Sequence, residues 1–142
     1  MTPNESVLSP LLGKPFKWFA RGPDAYDCYG LMIEASRRVG LYIPSDYQTI
    51  KDKDPAIRHN SFITGLMEYT IEIPEPEPYC LVTFIMDKEP PYYVNHIGMV
   101  MPNLYQFLHV MKDIRVGKER LDNKFYWKNR VDAFWRIKEK LK

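Results

Sequence analysis

The clearest helical spacing in the chain begins at Cys28, from which Leu31, Met32, Ala35 and Val39 follow at offsets of three, four, seven and eleven. That is one stripe of a 3.6-residue helix and puts Cys28 on the packed face. Asp24 or Asp27 supplies the N-cap acceptor. Arg37 and Arg38 stand in the last turn, followed by Gly40 and Pro44. A weaker helical pattern opens at Pro55, suited to a first helical position, and runs through Ile57, Phe62, Leu66 and Tyr69. Residues 1–12 read as an arm, and Pro15 argues against helix in the aromatic-rich stretch 13–22.

The pattern changes after Glu72 to Pro78, a stiff acidic connector whose prolines at 74, 76 and 78 bar it from a central strand. Tyr79 to Met86 is apolar nearly throughout, as a central strand is. Tyr93 to Met101 is a second strand and Tyr105 to Lys112 a third. Pro102 and Asn103 take the two central positions of the turn between them. Short strands follow at Arg115 to Leu121 and Phe125 to Ile137, then a frayed or helical tail. Helices first and an antiparallel meander afterwards make an α+β fold.

A chain of 142 residues with 45% hydrophobic and 14% aromatic side chains fills one core, so residues 1–142 are expected to form a single domain. The first eighteen residues lack a basic start and an apolar run, and no stretch is long enough to span a bilayer. The expectation is a soluble protein made in the cytoplasm. Cys28 and Cys80 have neither the number for a disulfide framework nor the spacing of a zinc site. Cys80, within the first strand, reads as packing and His59 as a surface residue. Residues 1–111 hold 9 basic and 13 acidic side chains, and residues 112–142 hold 11 and 5. The basic end is either a solvated surface or a face for an anionic polymer, cell-wall glycopolymer or nucleic acid.

A thiol in the first turn of a helix meets unpaired N–H groups and the positive end of the helix dipole, which favour the thiolate. The competing reading is a small hydrophobe capping a core helix. With Pro102 and Asn103 at the centre of a two-residue hairpin, opposed residues sum to 205 and His96 faces His109, close enough for one imidazole to orient the other. A thiol at a helix start, a histidine and a polar third group are the parts of a papain-like site. A metal held by the two histidines with Cys28 or Cys80 is the other chemical reading. It lacks an accompanying carboxylate or CxxC spacing, so no metal or cofactor is expected.

Gly13-Lys14-Pro15-Phe16-Lys17-Trp18, Asp27-Cys28-Tyr29-Gly30-Leu31, Arg38-Val39-Gly40, Ile43-Pro44, and His96-Ile97-Gly98-Met99-Val100 with His109 downstream together resemble the NlpC family of papain-like cell-wall cysteine peptidases. The resemblance spans nearly the whole chain. It implies a papain-like α+β fold with the nucleophile helix packed on the antiparallel sheet, Cys28 as nucleophile, His96 as base and His109 as orienting residue, with Asp27, Tyr29, Phe16 and Trp18 toward the substrate. It also implies hydrolysis of peptidoglycan stem peptides between D-glutamate and the diamino acid. The Asp-Cys-Tyr-Gly-Leu form, with Glu119-Arg120-Leu121-Asp122 and the stretch from Trp127 to Arg136, resembles the branch found as tail-assembly proteins of phages and prophages. That branch implies phage tail proteins as partners and a place in the virion tail; no nucleic-acid partner is expected. The chain departs from the family pattern at Phe16, where tyrosine is usual, at Phe19 and Ala20, in place of paired glycines, at Tyr29, in place of serine, and at Cys80, in place of aspartate. A non-catalytic tail component that keeps the fold, and a related amidase or acyltransferase, are the rival functions.

Overall fold

A computed structural model describes residues 3–44 and 64–141. The predicted helix is present as α1, Cys28–Arg38. Asp27 is its N-cap: extended at ψ 177, it accepts the Gly30 N–H on Oδ1 at 2.6 Å. Glu34 pairs with Arg37 and Arg38 in the last turn, and Gly40 takes φ 82 just past the Val39 C-cap. The arm is not featureless, because Glu5–Leu11 forms a 3-10 helix that buries Leu8 and Leu11. Most of the weaker helical pattern, with His59, lies outside the described residues. Its last part, residues 64–69, is helical.

The strands are β1 (Leu41–Tyr42), β2 (Thr70–Ile73), β3 (Leu81–Phe84), β4 (His96–Val100), β5 (Gln106–Met111), β6 (Ile114–Arg120), β7 (Val131–Ile137) and β8 (Glu139–Lys140). Six of them make an antiparallel sheet in the order β2-β7-β3-β4-β5-β6, and β1 pairs with β8 apart from it. The meander β3 to β6 is as predicted, and β3 is central with every residue buried.

Three expectations are corrected. Residues 70–73, partly given to the connector, form an edge strand because β7 returns to pair with them before Pro74 ends the ladder. The last long strand begins at Val131 and not at Phe125, since residues 121–127 turn and Lys128–Arg130 is a 3-10 helix. The described part of the tail is a strand and not a helix: Leu41 pairs with Lys140 and Tyr42 with Glu139.

Side chains of alternating strand positions separate two cores. Ile97 and Met99 of β4, Leu108 and Val110 of β5, and Leu81 of β3 pack with Leu31, Met32 and Ala35 of α1. Val82, Phe84, Val100 and Phe107 pack on the other face with Trp127 and Leu121. The helix direction follows from the strand ends. Gly40, past the end of α1, accepts the Leu141 N–H at 3.0 Å. Leu141 follows β7 at its Ile137 end, whereas Val131, at the other end, pairs with Phe84, which pairs in turn with His96. α1 therefore runs with its C-terminal end toward Ile137, and Cys28 toward the end of the sheet where β4 begins.

Candidate active site

Residues 15–27 wrap around a single buried carboxylate. Pro15 accepts from the Tyr26 N–H, Tyr26 from the Lys17 N–H, and Ala20 from the Asp27 N–H, at 3.1 to 3.2 Å. Asp27, fully buried, accepts the Phe19 N–H on Oδ2 at 3.1 Å, and Gly30 and the Arg21 guanidinium on Oδ1, each at 2.6 Å. Phe19 holds φ 65 to do this, an arrangement a non-glycine residue adopts at a cost of roughly 1 kcal/mol or more. Gly30 is required here because a Cβ would run into the Ala20 carbonyl.

Cys28 follows on this scaffold, 8% exposed, with the backbone N–H groups of Cys28 and Tyr29 directed at its sulfur. Burial works against the bias toward thiolate expected of a helix start. Burial, then the Asp27 carboxylate alongside, push the thiol up to about 12, outweighing those N–H groups and Arg21. The helix-start effect is worth about 1 kcal/mol and acts in the first turn, whereas desolvation of a charge in a fully packed position is several times larger. Burial also pushes the Cys80 thiol up, to about 11, among second-core residues where its Sγ accepts the Glu77 N–H at 3.4 Å.

The hairpin differs from its predicted register. Pro102 and Asn103 are the central turn residues, with Leu104 N–H donating to the Met101 carbonyl at 2.9 Å, but Leu104 at φ 69 and Tyr105 lengthen the loop. Met99 therefore opposes Leu108 and Val100 opposes Phe107, so pairs sum to 207, and continuing the register sets His109 against Gly98. His96 and His109 are diagonal neighbours on one face. They still meet, His96 Nε2 lying 2.9 Å from His109 Nδ1. Gly98 between them leaves the space free: a Cβ there would lie 2.8 Å from the Phe107 ring.

That 2.9 Å is a hydrogen bond and leaves no room for an ion bridging the two nitrogens at about 2.0 to 2.1 Å from each in open geometry. Among the described residues no three His, Cys, Asp or Glu side chains are grouped to hold a metal.

Aromatic rings enclose the imidazole pair. Phe84 lies 5.6 Å from His96, Phe107 4.9 Å from His109, and Trp127 6.1 Å and 4.9 Å from the two, ring centre to ring centre. Trp127 is itself held by Nε1 donating to Glu119 at 2.7 Å. Desolvation in this box, with His109 adding to it at His96, pushes His96 down to about 3 and His109 down to about 4. Both imidazoles are neutral at pH 7, and one proton lies between them. If His96 carries it on Nε2, its Nδ1 is a base and His109 must bear its own proton on Nε2. That buried nitrogen has no hydrogen-bond partner, and Trp127 stands edge to face with its ring at 75°.

α1 starts toward the end of the sheet that carries the imidazole pair, but the thiol packs with the first core and the imidazoles with the second, on the opposite face, and among the described residues the structure shows no hydrogen bond between Cys28 Sγ and either histidine. The four residues expected toward the substrate cluster at the start of α1. The Asp27 carboxylate is held by Arg21 and two N–H groups, and the Tyr29 hydroxyl donates to the Pro44 carbonyl at 2.8 Å. Phe16 and Trp18, half-buried and edge to face at 5.1 Å, complete the group. Sequence reasoning missed Arg21, whose partner lies six residues on, and the ring box of Phe84, Phe107 and Trp127. The alternation of Phe107 and His109 along β5 was the one local signal for the box.

No family model and no curated protein matches the chain. Solved structures do. NlpC1 from Trichomonas vaginalis is 23% identical over 93% of this chain and 42% of its own, with a TM-score of 0.64. An NlpC/P60 family protein from Bacillus cereus is 18% identical over 98% and 41%, TM-score 0.60. The NlpC/p60 domain of the peptidoglycan hydrolase SagA is 13% identical over 92% of both chains, TM-score 0.56. The chain spans less than half the length of the first two. With a helix opening at Cys28 packed across an antiparallel sheet, the protein has the papain-like α+β fold of NlpC/P60 proteins.

Proposed function

We propose that the protein is a cysteine peptidase of the NlpC type that hydrolyses peptidoglycan stem peptides. The observation that carries the reading is the direct bond between His96 Nε2 and His109 Nδ1, at the end of the sheet toward which α1 starts. It leaves His96 Nδ1 to take the thiol proton as sulfur attacks the scissile carbonyl. The N–H groups of Cys28 and Tyr29 then hold the oxyanion, the proton passes to the leaving amine, and water releases the thioester. Because the resting pair is neutral thiol and neutral imidazole, proton transfer accompanies attack and does not precede it. The fold and the motif around Asp27 to Leu31 support a wall substrate, cut between D-glutamate and the diamino acid. The tail-branch motifs support a phage or prophage protein carried in the tail.

The second reading is a tail component that keeps the fold without turnover, favoured by a thiol held up at about 12 and by an Asp27 carboxylate already fully bonded. Mass spectrometry of a peptidoglycan digest decides between them. New stem-peptide ends with the wild type and none with Cys28→Ala are expected. The same fragments from both, or none from either, leave the scaffold.

A further inference from the structure

The basic end of the chain is not one patch. Lys118 is paired with Glu5 at 2.7 Å, Arg120 with Asp122 at 2.7 Å, and Arg136 with Glu77 at 2.5 Å. Lys124, Lys128 and Arg130 are gathered instead on the segment between β6 and β7, interleaved with Phe125, Tyr126 and Trp127. Phe125 is 94% exposed, and the Arg130 guanidinium lies over the Tyr126 ring at 3.8 Å. Across from this segment is the loop after β3, where Lys88 and Tyr92, itself 55% exposed, stand.

Between the two segments is a groove of about 450 Å³ with Tyr92 and Phe125 both in its wall, and Asp87, Lys88, Asn129 and Arg130 as its polar lining. That is the size of a small-ligand site. Ile85 and Val131 tie it to the candidate active site, since Phe84, which precedes Ile85 and pairs with Val131, packs its ring against His96.

We propose that this groove is a binding subsite for an anionic glycan strand. This deepens the wall-peptidase reading and rests on it for the source of the glycan. Two outward aromatic rings in one groove offer flat apolar faces of the kind that stack on the C–H face of a pyranose. Asp87 and Asn129 supply acceptors and donors for ring hydroxyls and amides. Lys88, Lys124, Lys128 and Arg130 match scattered carboxylates. The Asp87 carboxylate inside the groove, with Glu89 beside it in sequence, opposes a polymer bearing a phosphate at every unit, so a glycan and not a nucleic acid fits the lining.

The test is binding of the full chain to purified glycan strands freed of their stem peptides, measured as a function of salt. The wild type is expected to bind, more weakly as salt rises and more weakly still to a neutral chitin-type oligomer. Phe125→Ala and Tyr92→Ala should each weaken binding about tenfold. Lys124→Gln with Lys128→Gln should flatten the salt dependence. All these side chains are exposed, and circular dichroism should show each variant folded. No binding by the wild type, binding by the two ring variants as tight as the wild type's, or tighter binding to single-stranded nucleic acid at equal salt would overturn the proposal. Turnover of a soluble stem peptide, measured separately, judges the peptidase reading without involving the groove.

Discussion

Asp27 and His109 are both completely buried at the same end of the molecule, and they are accommodated in opposite ways. Asp27 has a guanidinium and two backbone N–H groups on its oxygens. His109 has a second imidazole on one nitrogen, nothing on the other, and aromatic rings around it. One half of the site is built from charge paired with charge, the other from the removal of water. The lesson is that burial alone does not set protonation. Where donors converge, a carboxylate can be enclosed, and where rings converge, an imidazole loses its proton. Cys28 lies between these regimes, and for it burial prevails.

The largest test of this contrast is kinetic. If the uncharged half carries the proton, His96→Ala should reduce turnover by roughly a hundred- to ten-thousand-fold, while His109→Asn, which keeps a hydrogen-bonding group beside Nε2, should lose less. Equal losses in kcat would show that the two imidazoles do not divide the work.

Thiol chemistry sharpens the boundary between the halves. With Cys28 at about 12, alkylation by iodoacetamide should rise about tenfold for each pH unit between 7 and 10, without a plateau. A plateau at or below pH 8.5, assigned to Cys28 by peptide mapping, would mean that the helix start and Arg21 prevail over burial.

Stability against pH isolates the ring box. Folded His96 and His109 bind protons only near 3 and 4, whereas in the unfolded chain they do so near 6.5. Their contribution is complete above about pH 6.5 and is lost as pH falls from there through about 4 for His109 and about 3 for His96, because over that range the unfolded state binds more protons. The loss should be on the order of a few kcal/mol in denaturant titrations and should shrink in the His96→Ala, His109→Ala double variant.

A smaller effect belongs to the charged half. Arg21→Ala leaves the buried Asp27 carboxylate with only its N–H donors. With Arg21 itself 30% exposed, a cost of about 1 to 2 kcal/mol is expected, below the usual figure for breaking a fully buried pair. Arg21→Lys should restore part of it, and no change in the urea midpoint would place the carboxylate's support in the backbone alone.

What could be read beforehand was what neighbours in sequence decide. The start and end of α1 were legible because Asp27, the apolar stripe and Gly40 act within a few residues of one another. The meander was legible because each strand pairs with the next. The strand character of residues 70–73 was not, because their partner lies more than sixty residues on in β7. The hairpin register escaped because the turn residues were right but Leu104 took the left-handed conformation, which nothing about leucine announces. Cys28, His96 and His109 stood out as types. The protonation of the two imidazoles depends on Phe84, Phe107 and Trp127, three rings from three separate segments.

The pairing of β1 with β8 has a consequence in time. A helix of eleven residues is marginal by itself in water, so α1 gains its place from the strands beneath it and from the clasp of Leu41 on Lys140. Cys28 leaves the ribosome early and Lys140 late, separated at ordinary synthesis rates by roughly 5 to 20 seconds. Through that interval the thiol stands on an unseated segment, exposed to oxidants and far from either imidazole. The distant closure also predicts slow folding for a chain of this size, since long loops must close before any contact rewards them. A nascent chain halted before β8 would thus lack the clasp, and a strand made more than a hundred residues after Cys28 completes the seat of its helix.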